Sequence, residues 1–384
     1  MASGALDVLG ERLVSGFVIV PPGHLPAGFD ERGGLLRVAI GSHPIPDIAS
    51  VRAGEALREY VAALPRDAQV LCLISGGASS LVEVPVSGVG LDDLARVGAW
   101  AVSCGQPITV TNAVRRQLSR VKNGGLARWL QPRRTVALFI SDVPGDDPRL
   151  IGSGLLHASR PREQQALLDN CAGITSDVAA LLRHAHSVRE RANRLHSDDD
   201  DELRSSHAAV PFHIVASQRS AALAAAATAQ ARGLATKLTR ERFAGDAAEL
   251  GAKFARATIR LRDRELRIWT GEATVFLPPA PGRGGRNQHL ALSAACEFAA
   301  AGCNDRWLLA AGTDGVDGAT EDAGALVDGQ TCMRGRDAGC DARVSLERAD
   351  SGSFLEAAGD LLHTGPTYTN VGDMVLGLCW KGTD

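Results

Sequence analysis

The sequence predicts an α/β protein of two domains with mainly parallel sheets, on three observations. Short apolar, β-branched runs alternate with Ala/Leu/Arg stretches of helical spacing almost from end to end, the pattern of strands joined by crossover helices. At 384 residues the chain exceeds what one hydrophobic core usually organises, so two cores are expected. Glycine turns and aspartates recur where apolar runs end, and the carboxyl ends of strands are where open α/β sheets bind ligands.

In chain order, the apolar runs predict strands at Gly16–Val20, Arg37–Ile40, Gln69–Ile74, Thr135–Ser141, Phe212–Ala216, Ala235–Thr239, Leu266–Trp269, Thr274–Leu277, Trp307–Ala311 and Met374–Trp380. The helical spacing predicts helices that include Val51–Ala63, Leu91–Ser103, Ser176–Arg194, Ser220–Arg232, Ala247–Leu261, His289–Ala299 and Phe354–Leu362. The run Ser197-Asp-Asp-Asp-Asp-Glu202 interrupts the alternation. Like charges in sequence repel and stay extended, so it reads as a solvated linker rather than a metal site. It divides the chain into expected domains 1–205 and 206–384.

Composition narrows the function. Hydrophobic residues make up 45% and aromatics 4%, and 41 basic against 44 acidic residues leave a net charge of −3. No long basic run points to nucleic acid or to an anionic membrane. Eight cysteines occur without a C-x-x-C pair, which fits free thiols in a reducing cytoplasm. The N-terminus lacks a signal-peptide pattern and no apolar run is long enough to span a bilayer.

Several turns could carry chemistry. Strand Leu71–Ile74 ends in Ser75-Gly76-Gly77, followed by Ala78-Ser79-Ser80, where backbone amides and hydroxyls could form an anion nest. Asn112, Arg115, Ser119 and Lys122 recur at helical spacing, which would line one helix face and deliver Lys122 to a glycine turn, although a solvated basic face is the plainer reading. Strand Thr135–Ser141 delivers Asp142, and Pro144-Gly145 turns the chain so that Asp146 and Asp147 could return. Such carboxylates suit Mg²⁺ bound through phosphates, or a base for an alcohol; the alternative is an ordinary Asp-rich loop.

Gly282-Arg283-Gly284-Gly285-Arg286-Asn287 runs into a helical segment. A glycine turn, a helix N-terminus and two guanidinium groups each attract anions, so this reads as an oxyanion cradle, with His289 on the helix surface. Trp307–Ala311 leads into Thr313-Asp314-Gly315 and Asp317-Gly318, and Thr364-Gly-Pro-Thr-Tyr-Thr-Asn370 precedes the last strand. No G-x-x-x-x-G-K-[ST] occurs, nor a strand followed by G-x-G-x-x-G, which counts against a Walker A loop and against a Rossmann dehydrogenase. Phosphate-sized nests, aspartates and cations without a cofactor fingerprint suit phosphoryl transfer between a nucleotide and a small anionic acceptor.

Ser75-Gly-Gly77, Asn112 to Lys122, Ser141-Asp-Val-Pro-Gly-Asp-Asp147, Gly271-Glu272, Gly282 to Asn287, Thr313-Asp-Gly-Val-Asp-Gly318 and Gly365-Pro-Thr-Tyr-Thr-Asn370, in this order, resemble the glycerate 2-kinase family, whose C-terminal part is called the MOFRL domain. The resemblance covers nearly the whole chain. It implies two Rossmann-like α/β domains with an interdomain cleft, and ATP- and Mg²⁺-dependent phosphorylation of D-glycerate to 2-phosphoglycerate in the cytoplasm. It leaves a homodimer open.

Carried over, Arg283 and Arg286 would hold the glycerate carboxylate or the transferring phosphate, and Asp142 would orient or deprotonate the acceptor hydroxyl. Lys122 would add positive charge, while Ser75, Gly76, Gly77, Asn112, Arg115, Asn287, Thr313 and Asn370 would contact substrate or phosphate. Asp314, Asp317 and Asp146 are the candidates for Mg²⁺. The rival readings are an NAD(P)H-dependent hydroxypyruvate reductase, a label family members often carry, and a ligand-binding pseudokinase. The chain departs from the family pattern at Ala78, where a third glycine is usual, at Lys122-Asn-Gly-Gly125 and at Leu155-Leu156. Family members also begin further upstream, with a Gly-Lys-Ala segment whose lysine lies in the active site, so weakened catalysis is an expectation.

Overall fold

The computed structural model describes residues 1–25, 29, 34–43, 45–104, 108–169, 173–195 and 210–381. The acidic run at 197–202 lies outside the described residues. The chain divides into two compact units, one of residues 1–139 with 145–215 and the other of residues 140–144 with 216–384.

In the first unit, β1 (Gly16–Val20) and β2 (Leu36–Ile40) pair in parallel, Gly16 opposite Leu36. A second sheet takes β3 (Gln69–Ile74), β4 (Arg134–Ser141) and β5 (Phe212–Ser217) in that order, with β3 and β4 parallel. The helix Ile48–Ala63 starts where Asp47 accepts the amides of Ala49 and Ser50 while Ser50 reaches back, a capping box that satisfies the orphan donors of the first turn. The helices Leu91–Ser103, Ile108–Gln117 and Ser176–Leu195 share a core that includes Val97, Trp100, Val114, Leu118 and Ala185.

The second unit holds β6 (Ala235–Leu238), β7 (Phe243–Asp246), β8 (Glu265–Thr274), β9 (Arg306–Gly312), β10 (Gly324–Asp328), β11 (Leu361–Leu362) and β12 (Asp373–Cys379). The sheet order is β11-β10-β9-β12-β8-β6, with β7 also on β8. β6 and β7 run parallel to β8, whereas β12 is antiparallel to both β8 and β9, and β10 is antiparallel to β9 and β11. The α/β class holds, and this sheet adds antiparallel pairs to its parallel ones. β8 and β9 still point the same way and are joined by the helix Arg286–Ala300, as a crossover unit requires. The antiparallel pairs arise because β12 fills the gap between them.

The helix Arg286–Ala300 is the centre of this core. Leu290, Ala291, Leu292, Ala294, Ala295 and Phe298 are all buried, with Phe254, Leu308, Val327 and Val375 in the same cluster. Gly251 lets the neighbouring helix Ala247–Ile259 come so close that a Cβ there would lie 2.2 Å from the Leu290 carbonyl oxygen.

Two sequence expectations change for a physical reason. The strand expected at 266–269 runs on to Thr274 as β8, and residues 275–277, expected in a second strand, form none. Gly271 lies inside β8 and admits β7: a Cβ there would meet the Phe243 carbonyl oxygen at 2.1 Å, so the glycine marks a close backbone approach. The expected helical face from Asn112 to Lys122 also stops short. The helix ends at Gln117, and Ser119 forms an antiparallel bridge with Pro85.

Candidate active site

The glycines of the 282–285 loop serve the protein's own side chains. A Cβ on Gly282 would lie 2.3 Å from the Asp350 Cβ, and one on Gly285 would lie 2.3 Å from the Asp317 carboxyl carbon. The Arg283 amide donates to Asp350 Oδ1 at 2.8 Å. The Arg283 guanidinium donates to Asp322 at 3.1 Å and to Glu356 at 2.5 Å.

Asp317 occupies the helix N-terminus that the sequence suggested as an oxyanion cradle. Its Oδ1 accepts the Asn287 amide at 3.0 Å and the Asn287 side chain at 3.3 Å; its Oδ2 accepts the Gln288 amide at 2.8 Å. The anion at this positive helix end is therefore a carboxylate of the chain itself. Burial pushes the Asp317 carboxyl up to about 6, against the pull of those two amides. His289, expected on the helix surface, is buried, with Nδ1 3.0 Å from Ser351 Oγ. The sequence placed the helix start at 289; it begins at Arg286 because Gly285 is its N-cap.

Arg286, like Arg283, stays partly accessible. Its Nη1 donates to Glu272 Oε1 at 2.6 Å and its Nη2 to Asp373 Oδ1 at 3.0 Å, while Nε lies 2.6 Å from Asp373 Oδ2. Burial works against its charge, but Asp373, Glu272 and Asp317 outweigh it and raise its pKa. The Arg286 side chain is still 36% exposed. Burial raises the Asp373 carboxyl as well, with Arg286 pulling it back.

Beside this clamp, Thr313, Asp314 and Asn370 come together as the motifs suggested. Asn370 Nδ2 donates to Asp314 Oδ2 at 3.2 Å, and the Val316 amide donates to Asp314 Oδ1 at 3.2 Å. Thr313 Oγ1 donates to the Gly372 carbonyl at 2.7 Å and accepts the Val371 amide at 2.9 Å. The two turns are thus stitched into one surface at the end of β9.

The first unit carries its own group. Gly77 sits at φ 77°, and a Cβ there would lie 2.7 Å from His43 Nε2. The Ser75 and Gly77 carbonyls accept the Ala78 and Ser80 amides at 3.3 and 3.0 Å, and the helix that follows, Ala78–Leu81, is one turn. Lys122 does reach a glycine turn, but its ammonium is locked onto Glu83 with both side chains 2% exposed. It offers no charge to an external ligand, because a buried lysine must be neutralised where it lies.

Arg115, half-buried, is held below its usual range by burial while Glu83 pulls it back up. Asn112 lies on the same helix and is half-buried. Asp147 is taken by Arg149 in a double contact at 2.6 to 3.0 Å, which, first among its causes, lowers its pKa. Asp146 sits at φ 53° in this unit. Asp142 follows β4 as expected and belongs with the second unit, where its carbonyl accepts Arg242 Nη2 at 3.5 Å.

Among the described residues no three His, Cys, Asp or Glu side chains gather as a metal site. Of the expected Mg²⁺ set, Asp314 and Asp317 belong to the second unit and Asp146 to the first, and Asp317 has both oxygens committed to the helix. Sequence reading assigned no role to Asp373, Glu83 or Gln218. The signal for Asp373 was faint: an aspartate entering the last strand, directly after a glycine.

Comparison with known proteins bears on what this surface serves. Residues 1–192 match the family described as a domain of unknown function, DUF4147, and residues 265–373 match the MOFRL family. The D-glycerate 2-kinase of Thermotoga maritima is 32% identical over 385 residues, 98% of this chain and 87% of that protein. The chain belongs to the glycerate 2-kinase family. A crystal structure of glycerate kinase from Thermotoga maritima superposes with a TM-score of 0.81 at 31% identity, covering 99% of this chain and 88% of that one. An Agrobacterium vitis relative, provisionally named a hydroxypyruvate reductase, is 36% identical over 371 residues, 94% of this chain and 80% of that protein. No described helix of this glycerate 2-kinase family member is long and apolar enough to cross a membrane.

Proposed function

We propose that the chain is a cytoplasmic D-glycerate 2-kinase that uses ATP and Mg²⁺ to phosphorylate the 2-hydroxyl of D-glycerate. The supporting observation is the match, over nearly the full length in both sequence and fold, to the Thermotoga maritima enzyme. Phosphoryl transfer needs charge neutralisation and in-line positioning more than a covalent nucleophile. In this reading Arg286 supplies the anion contact, since three of its N–H groups face Glu272 and Asp373 and the remaining two of a guanidinium's five are left for a ligand.

Asp142, directly after β4, is the base or orienting group for the acceptor hydroxyl. Asn370, Thr313 and Asn287 shape the substrate side, while Ser75, Gly76, Gly77, Asn112 and Arg115 serve the nucleotide or substrate from the first unit. Mg²⁺ fits a partial donor set, because it is usually held by one or two carboxylates together with substrate phosphates. Asp314 suits it, since each of its oxygens accepts one N–H and keeps a lone pair. When bound, the ion would neutralise phosphate charge.

The provisional name of the Agrobacterium relative is the observation on the side of a reductase, and the sequence offers that reading no dinucleotide turn. Purified protein with ATP, Mg²⁺ and D-glycerate should release ADP and 2-phosphoglycerate in equal amounts. NADH consumption with hydroxypyruvate in place of that product would mean a reductase. Binding of glycerate or nucleotide without ADP release would mean a pseudokinase.

A further inference from the structure

We propose that Asp373 is the positioning residue that fixes the plane of the Arg286 guanidinium, so that its two remaining N–H groups face the substrate anion. The proposal rests on the kinase reading of Arg286. Asp373 is the first residue of β12, held between β8 and β9, with Gly271 opposite on one side and Gly312 on the other. Neither neighbour has a side chain to cover its carboxylate, which leaves Arg286 free to reach it. A Cβ on Gly312 would stand 3.7 Å from Asp373 Oδ1 and 2.8 Å from Asp314 Oδ1.

The main chain of Asp373 is pinned independently. Gln218 Nε2 donates to the Asp373 carbonyl at 3.1 Å and to the Gly271 carbonyl at 2.8 Å. A Cβ on Gly372 would collide with that Nε2 at 2.4 Å. The carboxylate can therefore be changed without releasing the strand.

The contact itself is two-point, through Nε and Nη2, and a two-point contact fixes orientation where a single one leaves rotation. Nε meets Oδ2 as a close ion contact rather than an aligned hydrogen bond, since Oδ2 has no hydrogen-bond partner of good geometry. The Asp373 side chain is 2% exposed and the Glu272 side chain 57% exposed. Water competes for Glu272 and not for Asp373, so the buried carboxylate sets the geometry. A buried ion pair is weak evidence for stability, which leaves orientation as its use.

The test compares Asp373→Asn, Arg286→Ala and the double variant with wild type, using ATP, Mg²⁺ and D-glycerate. Misplacing a reacting group by about 1 Å costs on the order of 100-fold, so Asp373→Asn should lower kcat/KM by about that factor. The loss should fall on the same parameter, kcat or the glycerate KM, that Arg286→Ala changes, and Asp373→Asn should add nothing in the Arg286→Ala background. Additive losses, or losses on different parameters, overturn the proposal.

Asp373→Glu, which keeps the charge and moves it by one methylene, guards against a misfolded Asn variant. It should lose roughly tenfold with the wild-type melting curve, and full activity would sink the idea. A readout free of turnover is the Nε–H NMR signal of Arg286, resolved and slowly exchanging in wild type and merged with the exposed arginines in Asp373→Asn. An unchanged signal overturns the proposal. Wild-type protein that makes no 2-phosphoglycerate overturns only the kinase reading, because the NMR result stands without it.

Discussion

Lys122 and Arg286 occupy similar sequence settings, a cation beside a glycine pair at the start of a helix, and reach opposite physical states. Lys122 lies before Gly124 and Gly125, and its ammonium is sealed against Glu83, whose second oxygen accepts the Val84 amide at 3.0 Å. Arg286 follows Gly284 and Gly285 and is gripped by Asp373 while a third of it remains open. A sealed cation can only hold the fold together. A gripped but open one can meet a ligand with its orientation already set, which removes ordering entropy from binding.

The largest test of that contrast is on stability. Lys122→Met leaves Glu83 buried without its ion-pair partner, and breaking a buried pair in this way costs about 3–5 kcal/mol. Denaturant unfolding should show that loss, and Glu83→Gln combined with Lys122→Met should recover most of it. If Lys122→Met kept the wild-type midpoint while abolishing phosphorylation, Lys122 would be the catalytic cation that its sequence position suggested.

Arg286→Lys tests the other side. It keeps the charge and removes the fork, so kcat/KM should drop about 100-fold, or roughly 2.7 kcal/mol of transition-state stabilisation, with a nearly unchanged unfolding midpoint. A drop below threefold would mean that charge alone suffices and that the two-point grip on Asp373 does not matter for turnover.

Much of the fold could be read directly, and the reason lies in locality. β1 and β3 match the expected bounds because each is a short apolar run bounded by polar, glycine or proline residues. The place of Gly271 inside β8 is set by Phe243, a residue of another strand, which no local pattern shows. The place of β12 between β8 and β9 is a long-range pairing that no local pattern encodes. The same holds in the site. The Gly-Arg loop and the Asp314 and Asn370 turns were legible as motifs, but the carboxylate that fills the helix N-terminus comes from Asp317, some thirty residues on. Whether a cation is sealed or open depends on what packs over it, which sequence near Lys122 or Arg286 does not say.

Asp317 extends the contrast to a buried anion. Its folded pKa, about 6, lies above the unfolded value near 3.9, so the folded state binds the proton more tightly. The stability this group confers is present in full below the unfolded pKa and is lost as pH rises through the folded one. The loss between pH 4 and 6 is at most about 3 kcal/mol. Urea midpoints across that window should fall in wild type and fall less in Asp317→Asn. Parallel slopes for the two proteins would show that Asp317 is ionised throughout.

The smallest effect is expected at Glu272, the exposed end of the Arg286 clamp. Its 2.6 Å contact with Nη1 is as short as the contact between Nε and Asp373, so distance alone would rank the two carboxylates together. Solvent separates them, because an exposed ion pair is screened and contributes about 0–1 kcal/mol. Glu272→Gln, which can still accept from Nη1 through its amide oxygen, should therefore reduce kcat/KM by less than about fivefold. Its deficit should also shrink further as salt is raised, since screening removes what attraction remains. A loss matching that of Asp373→Asn would mean that charge count around Arg286, and not burial, governs how the guanidinium is held.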